Sequence, residues 1–270
     1  MATLDICIDK IATFLGPLLV LLAIVLIILA EFVFWTLVLP LLSQQYIHAT
    51  VSIYLVYCIL SYYALAVLTP PGNPPFPRDQ SADDELTMLD LEACEQTLIC
   101  RKCTRTKPLG THHCSVCKIC ITRMDHHCPW ICNCVGKHNH PYFYMFLVYL
   151  SVGCGYFCIV AFSFIPVIDT QHLAIFMFVF LICGAIGAAV FAMAVWHSYL
   201  IAVAQTTIGI QEQWSLGREV TFNNPQDLGI QKNFEDFFSM SSFALWKLLF
   251  PIPITTLTTW YRIFACKNDS

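Results

Sequence analysis

At 270 residues and 30.6 kDa, with 57% of residues apolar, 12% charged and a mean hydropathy of +0.66, the chain exceeds the apolar content of an ordinary soluble domain of its length. A soluble helical enzyme with apolar core helices is the plainer alternative, and the apolar runs are too long and too free of charge for it. The net charge of −4 says little, and nucleic acid is not an expected partner; the placement of charge says more.

The first apolar run extends from Ile11 to Leu42 and contains Glu31 as its single charge. Ile11 to Ala30 as a helix reaches about 30 Å, the thickness of a hydrocarbon core. Glu31 then falls near the far interface, with contact to a partner helix as the alternative. Pro40 helps to end the helix, and a short polar loop through Gln44, Gln45 and His48 follows. Val51 to Leu68 returns across the membrane, and Thr69-Pro70-Pro71-Gly72-Asn73-Pro74-Pro75 stops it, because each proline removes a donor and restricts its predecessor. Residues 81–98 mix Asp, Glu, Leu and Met and are expected to form a short linker helix. A third span begins around Tyr142–Phe143 and ends near Ile165–Pro166. A fourth runs from about Leu173 to Ala202, and its Gly184, Ala185, Gly187, Ala188 and Ala189 permit close helix contact. In the tail, Asn223-Asn224-Pro225 is expected to turn. Phe234, Phe237, Phe238, Leu245, Trp246 and Phe250 then suggest an amphipathic helix or re-entrant segment.

Eight of the 14 basic residues lie between 73 and 140, five lie beyond 202, and Lys10 precedes the first run; the connectors 39–49 and 166–173 have none. Four spans with every basic residue on one side predict both termini and the intervening module in the cytosol. A cleavable signal peptide is not expected, since the leader is acidic as much as basic and the following run is too long. The expected fold is an all-α polytopic membrane protein, with four transmembrane helices and a cytosolic cysteine-rich double-zinc module between helices 2 and 3. Residues 1–72 would hold the first two helices, 73–141 the linker and module, 142–205 the second pair, and 206–270 a cytosolic C-terminal segment. A reducing compartment directs the 15 cysteines toward metal ligation or thiol chemistry rather than disulfides.

Cys100-x2-Cys103 opens the module, followed by His113, Cys114, Cys117, Cys120, His127 and Cys134. Six cysteines and two histidines make two four-ligand tetrahedral sites, the stoichiometry of structural zinc. One division gives Cys100, Cys103, His113 and Cys120 to the first ion and Cys114, Cys117, His127 and Cys134 to the second. Spacing alone does not force this interleaving over a sequential arrangement. Neither set leaves an open position for a substrate water, and the segment has few large apolar side chains, so both ions are expected to supply folding energy.

Cys128 and Cys132 remain. Asp125 and His126 lie beside Cys128 in the run Asp125-His126-His127-Cys128-Pro129-Trp130. A free thiol is mostly protonated at neutral pH; an adjacent imidazole takes its proton, and a carboxylate on the other ring nitrogen fixes the tautomer. Asp125, His126 and Cys128 therefore read as orienter, base and nucleophile. Residues two apart do not face each other on a helix, so the motif must lie on a turn or hairpin held by metal at His127 and Cys134. The alternative makes Cys128 a ligand and His127 a bystander. Cys132 is the rival nucleophile, without an adjoining acid or base. His112, His138 and His140 are expected to be interfacial or solvated, with His138 and His140 close to the membrane.

A thiol at the mouth of a helix bundle can hold an acyl group as a thioester while the chain enters the bundle. At about 0.8 kcal/mol per buried CH₂, a sixteen-carbon tail prefers the membrane side by about 10 kcal/mol before ordering costs. Acyl-CoA is the expected donor, and a protein cysteine makes a nearly isoenergetic acceptor.

The run Cys100-x2-Cys103-x9-His113-Cys114-x2-Cys117-x2-Cys120-x4-Asp125-His126-His127-Cys128-x5-Cys134-x4-Asn139-x3-Phe143 resembles the zinc-dependent protein S-acyltransferases (palmitoyltransferases) of the DHHC type. The resemblance implies palmitoylation at Golgi, endoplasmic reticulum or plasma membrane, two structural zinc ions in the interleaved pairing, and an acyl-Cys128 intermediate. It implies an acyl-chain cavity among all four helices, near Gly153, where glycine would leave depth for sixteen or more carbons unless a neighbour such as Tyr156 or Phe157 fills the gap. The implied partners are membrane-associated proteins with cytosolic cysteines and the bilayer itself, with room for an accessory subunit. Thr69-Pro70-Pro71-Gly72 resembles the family's Asp-Pro-Gly motif without its aspartate. Thr206-Thr207-Ile208-Gly209 resembles Thr-Thr-x-Glu with glycine in place of the bracing glutamate, for which Glu212 is a substitute one turn later. Asn233 matches an asparagine that caps backbone groups in the family's C-terminal motif.

Two rival functions differ in class. A non-catalytic zinc-stabilised membrane adaptor would leave Cys128 and its Asp-His neighbours without use. A transporter or channel needs ionisable residues along a path, and only Glu31 and His197 qualify.

Overall fold

The structure is a computed structural model that describes residues 2–74, 98–108, 110–215, 217, 226–239, 249 and 251. The expected helix within 81–98 lies outside the described residues except for Leu98, which is in a strand; the Asn223-Asn224-Pro225 turn, Leu245, Trp246 and Phe250 lie outside as well.

Helix α1 covers Ala2–Val33 and continues through a π turn, Phe34–Val38, into a 3₁₀ turn, Leu39–Leu41. Pro40 sits in that last turn, at the point where its missing N–H costs nothing. Helix α2 covers Gln45–Leu68, so the polar connector is shorter than the sequence suggests. The Gln44 carbonyl already accepts from the Ile47 and His48 N–H groups, and the helix begins there despite the polar side chains. Helix α3 is His140–Phe162 and helix α4 is Thr170–Ala202, the latter started by the Asp169 carboxylate accepting from the Gln171 N–H at 3.5 Å. Two short helices follow, α5 at Thr207–Ser215 and α6 at Ile230–Phe237.

Among the described residues, four helical stretches are long and apolar enough to cross a membrane: Phe14–Leu41, Gln45–Leu68, His140–Phe162 and Thr170–Ala202. Their outer faces carry exposed apolar side chains such as Phe32, Ile159 and Phe191, the pattern of a bundle solvated by lipid. Inside, α3 packs on α2 and α4 through Tyr62, Tyr142, Phe143 and Phe146, with a second cluster of Val33, Phe34, Phe157 and Phe176 toward the α1 turn. The small residues of α4 serve the close approach: a Cβ on Gly187 would meet Cys154 Cβ of α3 at 2.8 Å.

Between α2 and α3 the chain folds into three two-stranded antiparallel ribbons, β1 (Leu98–Cys100) with β2 (Arg105–Lys107), β3 (His112–His113) with β4 (Cys120–Ile121), and β5 (His126–Cys128) with β6 (Asn133–Val135). Ribbons this short do not stand alone in water. The module is docked on the segment leaving α2: Thr122 N–H donates to the Gly72 carbonyl at 2.8 Å and His138 N–H to the Pro71 carbonyl at 3.1 Å. Gly72 has φ +104°, a backbone state that a side chain would strain. Pro70 stands where the resemblance expects aspartate; Thr69 before it is fully buried with its hydroxyl unpartnered, while its carbonyl accepts from Asn133 Nδ2 at 3.0 Å.

Candidate active site and metal centres

The interleaved ligand division is the one the fold assembles. Cys100, Cys103, His113 and Cys120 form one group and Cys114, Cys117, His127 and Cys134 the other, each with its donor atoms within 4.8 Å of one another. In the first, His113 Nδ1 stands 3.1, 3.7 and 3.8 Å from the sulfurs of Cys103, Cys100 and Cys120. In the second, His127 Nδ1 stands 3.4, 3.5 and 3.7 Å from those of Cys117, Cys134 and Cys114. Zinc–sulfur bonds of about 2.3 Å in a tetrahedron place ligand atoms roughly 3.5–3.8 Å apart, so three sulfurs and one nitrogen at these distances fit a closed four-coordinate ion. Both clusters can therefore hold a metal. Ribbon pairing explains the interleaving: His113 faces Cys120 and His127 faces Cys134 across their ladders, so each ribbon contributes two donors to one centre.

Cys128 belongs to neither cluster. It ends β5 at the start of the Pro129–Ile131 3₁₀ turn, buried, so Asp125 to Cys128 lie on a hairpin as their spacing requires. His126 Nδ1 donates to Asp125 Oδ2 at 2.8 Å, and the same ring is electrostatically coupled to the Cys128 thiol. The Asp125 carboxylate is fully buried; its other oxygen accepts from the Thr207 N–H at 2.8 Å. Burial acts to raise the Asp125 carboxyl, but the His126 hydrogen bond, the neighbouring His140 and His197 and the Thr207 N–H outweigh it and hold the carboxyl below the usual range. Burial likewise acts to lower the His126 imidazole, and its interactions with Asp125 and Cys128 push it up to about 9. Asp125 is thus anionic, and the ring between carboxylate and thiol is built to hold a proton.

Cys132, the other remaining cysteine, is exposed in the left-handed conformation at φ +49°, with its sulfur against α1 beside Gly16. His138 is exposed, its ring over Gly72. The expectation that His140 is interfacial or solvated is corrected: it is buried, its Nε2 3.0 Å from Nδ1 of buried His197. Position 140 is the first residue of α3, and that helix end is covered by α4 and by Phe237 of α6. Two family-like features do structural work here. Asn139 is buried, donates to the carbonyls of Cys134 at 2.8 Å and Ala66 at 3.2 Å, and accepts from the Gly136 N–H. Asn233 donates to the Ala202 carbonyl and accepts from the Leu228 N–H. Glu212 is exposed and acts electrostatically on half-buried His112.

A cavity of about 330 Å³ opens beneath Cys128, lined by Trp130, Ile131, Phe143 and Gly153 and by apolar side chains from α1, α2, α3 and α4. Tyr63, which donates to the Trp130 carbonyl at 2.6 Å, marks the end near the thiol. At the other end lie Glu31, Ser52, Phe34 and Tyr156. Glu31 therefore faces the bundle: its carboxylate accepts from Trp35 Nε1 at 2.6 Å, and that indole also donates to Ser52 of α2. The gap at Gly153 is approached by Ile59 of α2, whose Cδ1 lies 2.8 Å from where a Cβ would stand, and not by Tyr156 or Phe157.

A four-span bundle, a module with two four-donor Cys/His clusters that can hold metal, and a thiol outside both clusters beside an imidazole and a carboxylate define a class of membrane proteins with a cysteine-rich module between helices 2 and 3. Residues 93–214 match the family model for DHHC palmitoyltransferase. The chain is 34% identical over 209 residues to "Probable protein S-acyltransferase 12" of Arabidopsis thaliana, covering 72% of this chain and 70% of that one. It is also 42% identical over 98 residues to "Palmitoyltransferase ZDHHC16A" of Danio rerio (36% and 22% of the two chains) and 38% identical over 133 residues to "Palmitoyltransferase ZDHHC3" of Homo sapiens (47% and 43%). The matched region thus spans less than half the length of the latter two relatives. The chain belongs to the DHHC palmitoyltransferase family.

Proposed function

We propose that this protein is a protein-cysteine S-palmitoyltransferase, moving a long-chain acyl group from acyl-CoA to cysteine thiols of membrane-associated proteins. The observation that carries the reading is Cys128: a thiol outside both metal clusters, coupled to an imidazole that is hydrogen-bonded to a buried carboxylate, at the mouth of an apolar cavity.

His126, with Nδ1 engaged by Asp125, takes the Cys128 proton on Nε2. The thiolate attacks the acyl-CoA carbonyl, the C–S bond to CoA breaks, and the CoA sulfur leaves with a proton. The acceptor thiol then attacks the acyl-Cys128 carbonyl, releasing Cys128 as a thiol. One thioester forms for each that breaks in both steps. During the exchange the acyl chain lies in the cavity, away from water.

Two zinc ions are the metals proposed for the clusters, where closed four-ligand coordination would supply rigidity. The chain's own part is to hold the β5–β6 hairpin between His127 and Cys134 so that Cys128 points away from the metal. The placement of basic residues supports a cytosolic module and termini, with residues 1–72, 73–141, 142–205 and 206–270 as the four functional segments. Golgi or endoplasmic reticulum membrane is the proposed location.

Incubation with a clickable palmitoyl-CoA tests the reading. Wild type is expected to take a hydroxylamine-sensitive label, and Cys128→Ser to take none at unchanged zinc content. Label retained by that variant, or zinc lost from it, would sink the assignment.

A further inference from the structure

Two buried imidazoles lie behind the Asp125–His126 pair and have no part in the steps above. His197, in the last turns of α4, is 2% exposed, and His140, at the start of α3, is 5% exposed. Their rings meet edge to face with centroids 5.0 Å apart, and one nitrogen of each is committed to the 3.0 Å bond between them. A His197 nitrogen also lies within 4.8 Å of both an Asp125 oxygen and a His126 nitrogen. Phe143 packs edgewise on His126 at 5.4 Å and on His197 at 5.5 Å, and Phe237 closes the far side of His140 at 5.0 Å.

A carboxylate offers about four acceptor positions, and the Thr207 N–H and His126 Nδ1 fill two of them on Asp125. A fully buried carboxylate is stable only among further polar groups. His197 is the next polar group at hand, with a nitrogen within 4.8 Å of a carboxylate oxygen, and His140 stands behind it. If this seam between helices and module served packing alone, aliphatic side chains would fill it at lower cost than two desolvated imidazoles.

We propose that His197, held in place by His140, is a positioning residue for the Asp125–His126 pair. It fixes the carboxylate from α4, as the Thr207 N–H fixes it from the start of α5. The carboxylate then holds the proton on His126 Nδ1 and leaves Nε2 to the thiol. The proposal rests on Cys128 as the acyl acceptor.

The test measures single-turnover acylation of full-length, detergent-solubilised protein by clickable palmitoyl-CoA over a range of donor concentrations. His197→Leu is expected to lower the saturating rate by about tenfold or more, with the concentration dependence within about twofold of wild type and zinc content unchanged. His197→Gln, which restores a polar donor and acceptor, is expected to recover most of the rate. His140→Phe keeps the ring packing and removes the 3.0 Å bond; it is expected to slow acylation several-fold with zinc retained, and it decides the matter should the Leu variant fail to fold. Wild-type rates in folded His197→Leu or in His140→Phe would overturn the proposal. So would a Gln variant as slow as the Leu variant, or a defect confined to donor concentration dependence. Cys128→Ser run in parallel separates the two readings: label surviving there refutes the acyl-Cys128 intermediate itself, whereas its loss beside a fully active His197→Leu refutes only the positioning role.

Discussion

Asp125 is the residue on which the chemistry of the site converges. It is fully buried, yet it is kept ionised by a main-chain donor, an imidazole and two further rings, and its oxygen holds one His126 tautomer in place. Asp125→Asn keeps the volume and removes the charge. The amide is expected to relax the tautomer preference and lower Cys128 acylation by about 10²–10⁴-fold, measured with clickable palmitoyl-CoA. The same variant has a signature in stability. With the folded His126 value raised to about 9 from 6.5, the pair stabilises the fold fully below pH 6.5, and that contribution is lost as pH rises through about 9. The portion of the fall in melting midpoint across that window that comes from this pair is expected to shrink in Asp125→Asn. Sequence proximity alone makes Asp125, His126 and Cys128 legible as a set. The Thr207 partner of Asp125 is 82 residues away, and nothing in the spacing announces it. His140 escapes the sequence for a related reason: it precedes the apolar run expected from Tyr142–Phe143 and so reads as interfacial, and only the packing of α4 and α6 over it removes the water.

At the scale of elements, the short ribbons of the module have almost no apolar interior: Ile121 and Met124 pack with Cys114 and Cys134. With metal bound at the two clusters as proposed, folding free energy is expected from that metal and from docking on the Pro71–Gly72 segment. Cys134 is wholly buried and faces His127 directly across the β5–β6 ladder. Cys134→Ser is therefore expected to release about one zinc per chain and lower the melting midpoint. Cys128→Ser should do neither, and zinc quantitation on the two proteins side by side checks the contrast. Sequence spacing gave the eight donors but left their division open. The strand pairing decides it, and strands of two or three residues are too short to show a period of their own. The apolar runs were legible because membrane length leaves little latitude. The start of α2 was not, since Gln45 to Thr50 look like a loop until the Gln44 carbonyl finds its helical partners.

The cavity is a property of the whole molecule, since all four long helices and the module line it. Ser52 precedes Tyr63 by eleven residues on α2, which separates the two ends by about 16 Å along the axis. A staggered hydrocarbon chain advances about 1.25 Å per carbon, so that stretch has length for about thirteen carbons, and under the proposed function the remainder of a palmitoyl chain would lie at the mouth by Cys128. Gly153 stands partway down on α3, and Tyr156 lies one turn deeper at the Glu31–Trp35–Ser52 end. Three residues of helix are about 4.5 Å, room for three or four carbons below Gly153. Any side chain at that position must shift Ile59 Cδ1, the tip of a flexible side chain, because its Cβ would stand 2.8 Å away. Beyond Cβ, a large ring has the open space of the cavity to fill. Gly153→Phe is accordingly expected to shift the preferred donor from sixteen carbons to about twelve or fourteen, read by competition among acyl-CoAs of graded length for Cys128. Zinc content and labelling by the shorter donors should be unchanged, and an unaltered length profile would show that the chain runs elsewhere in the bundle.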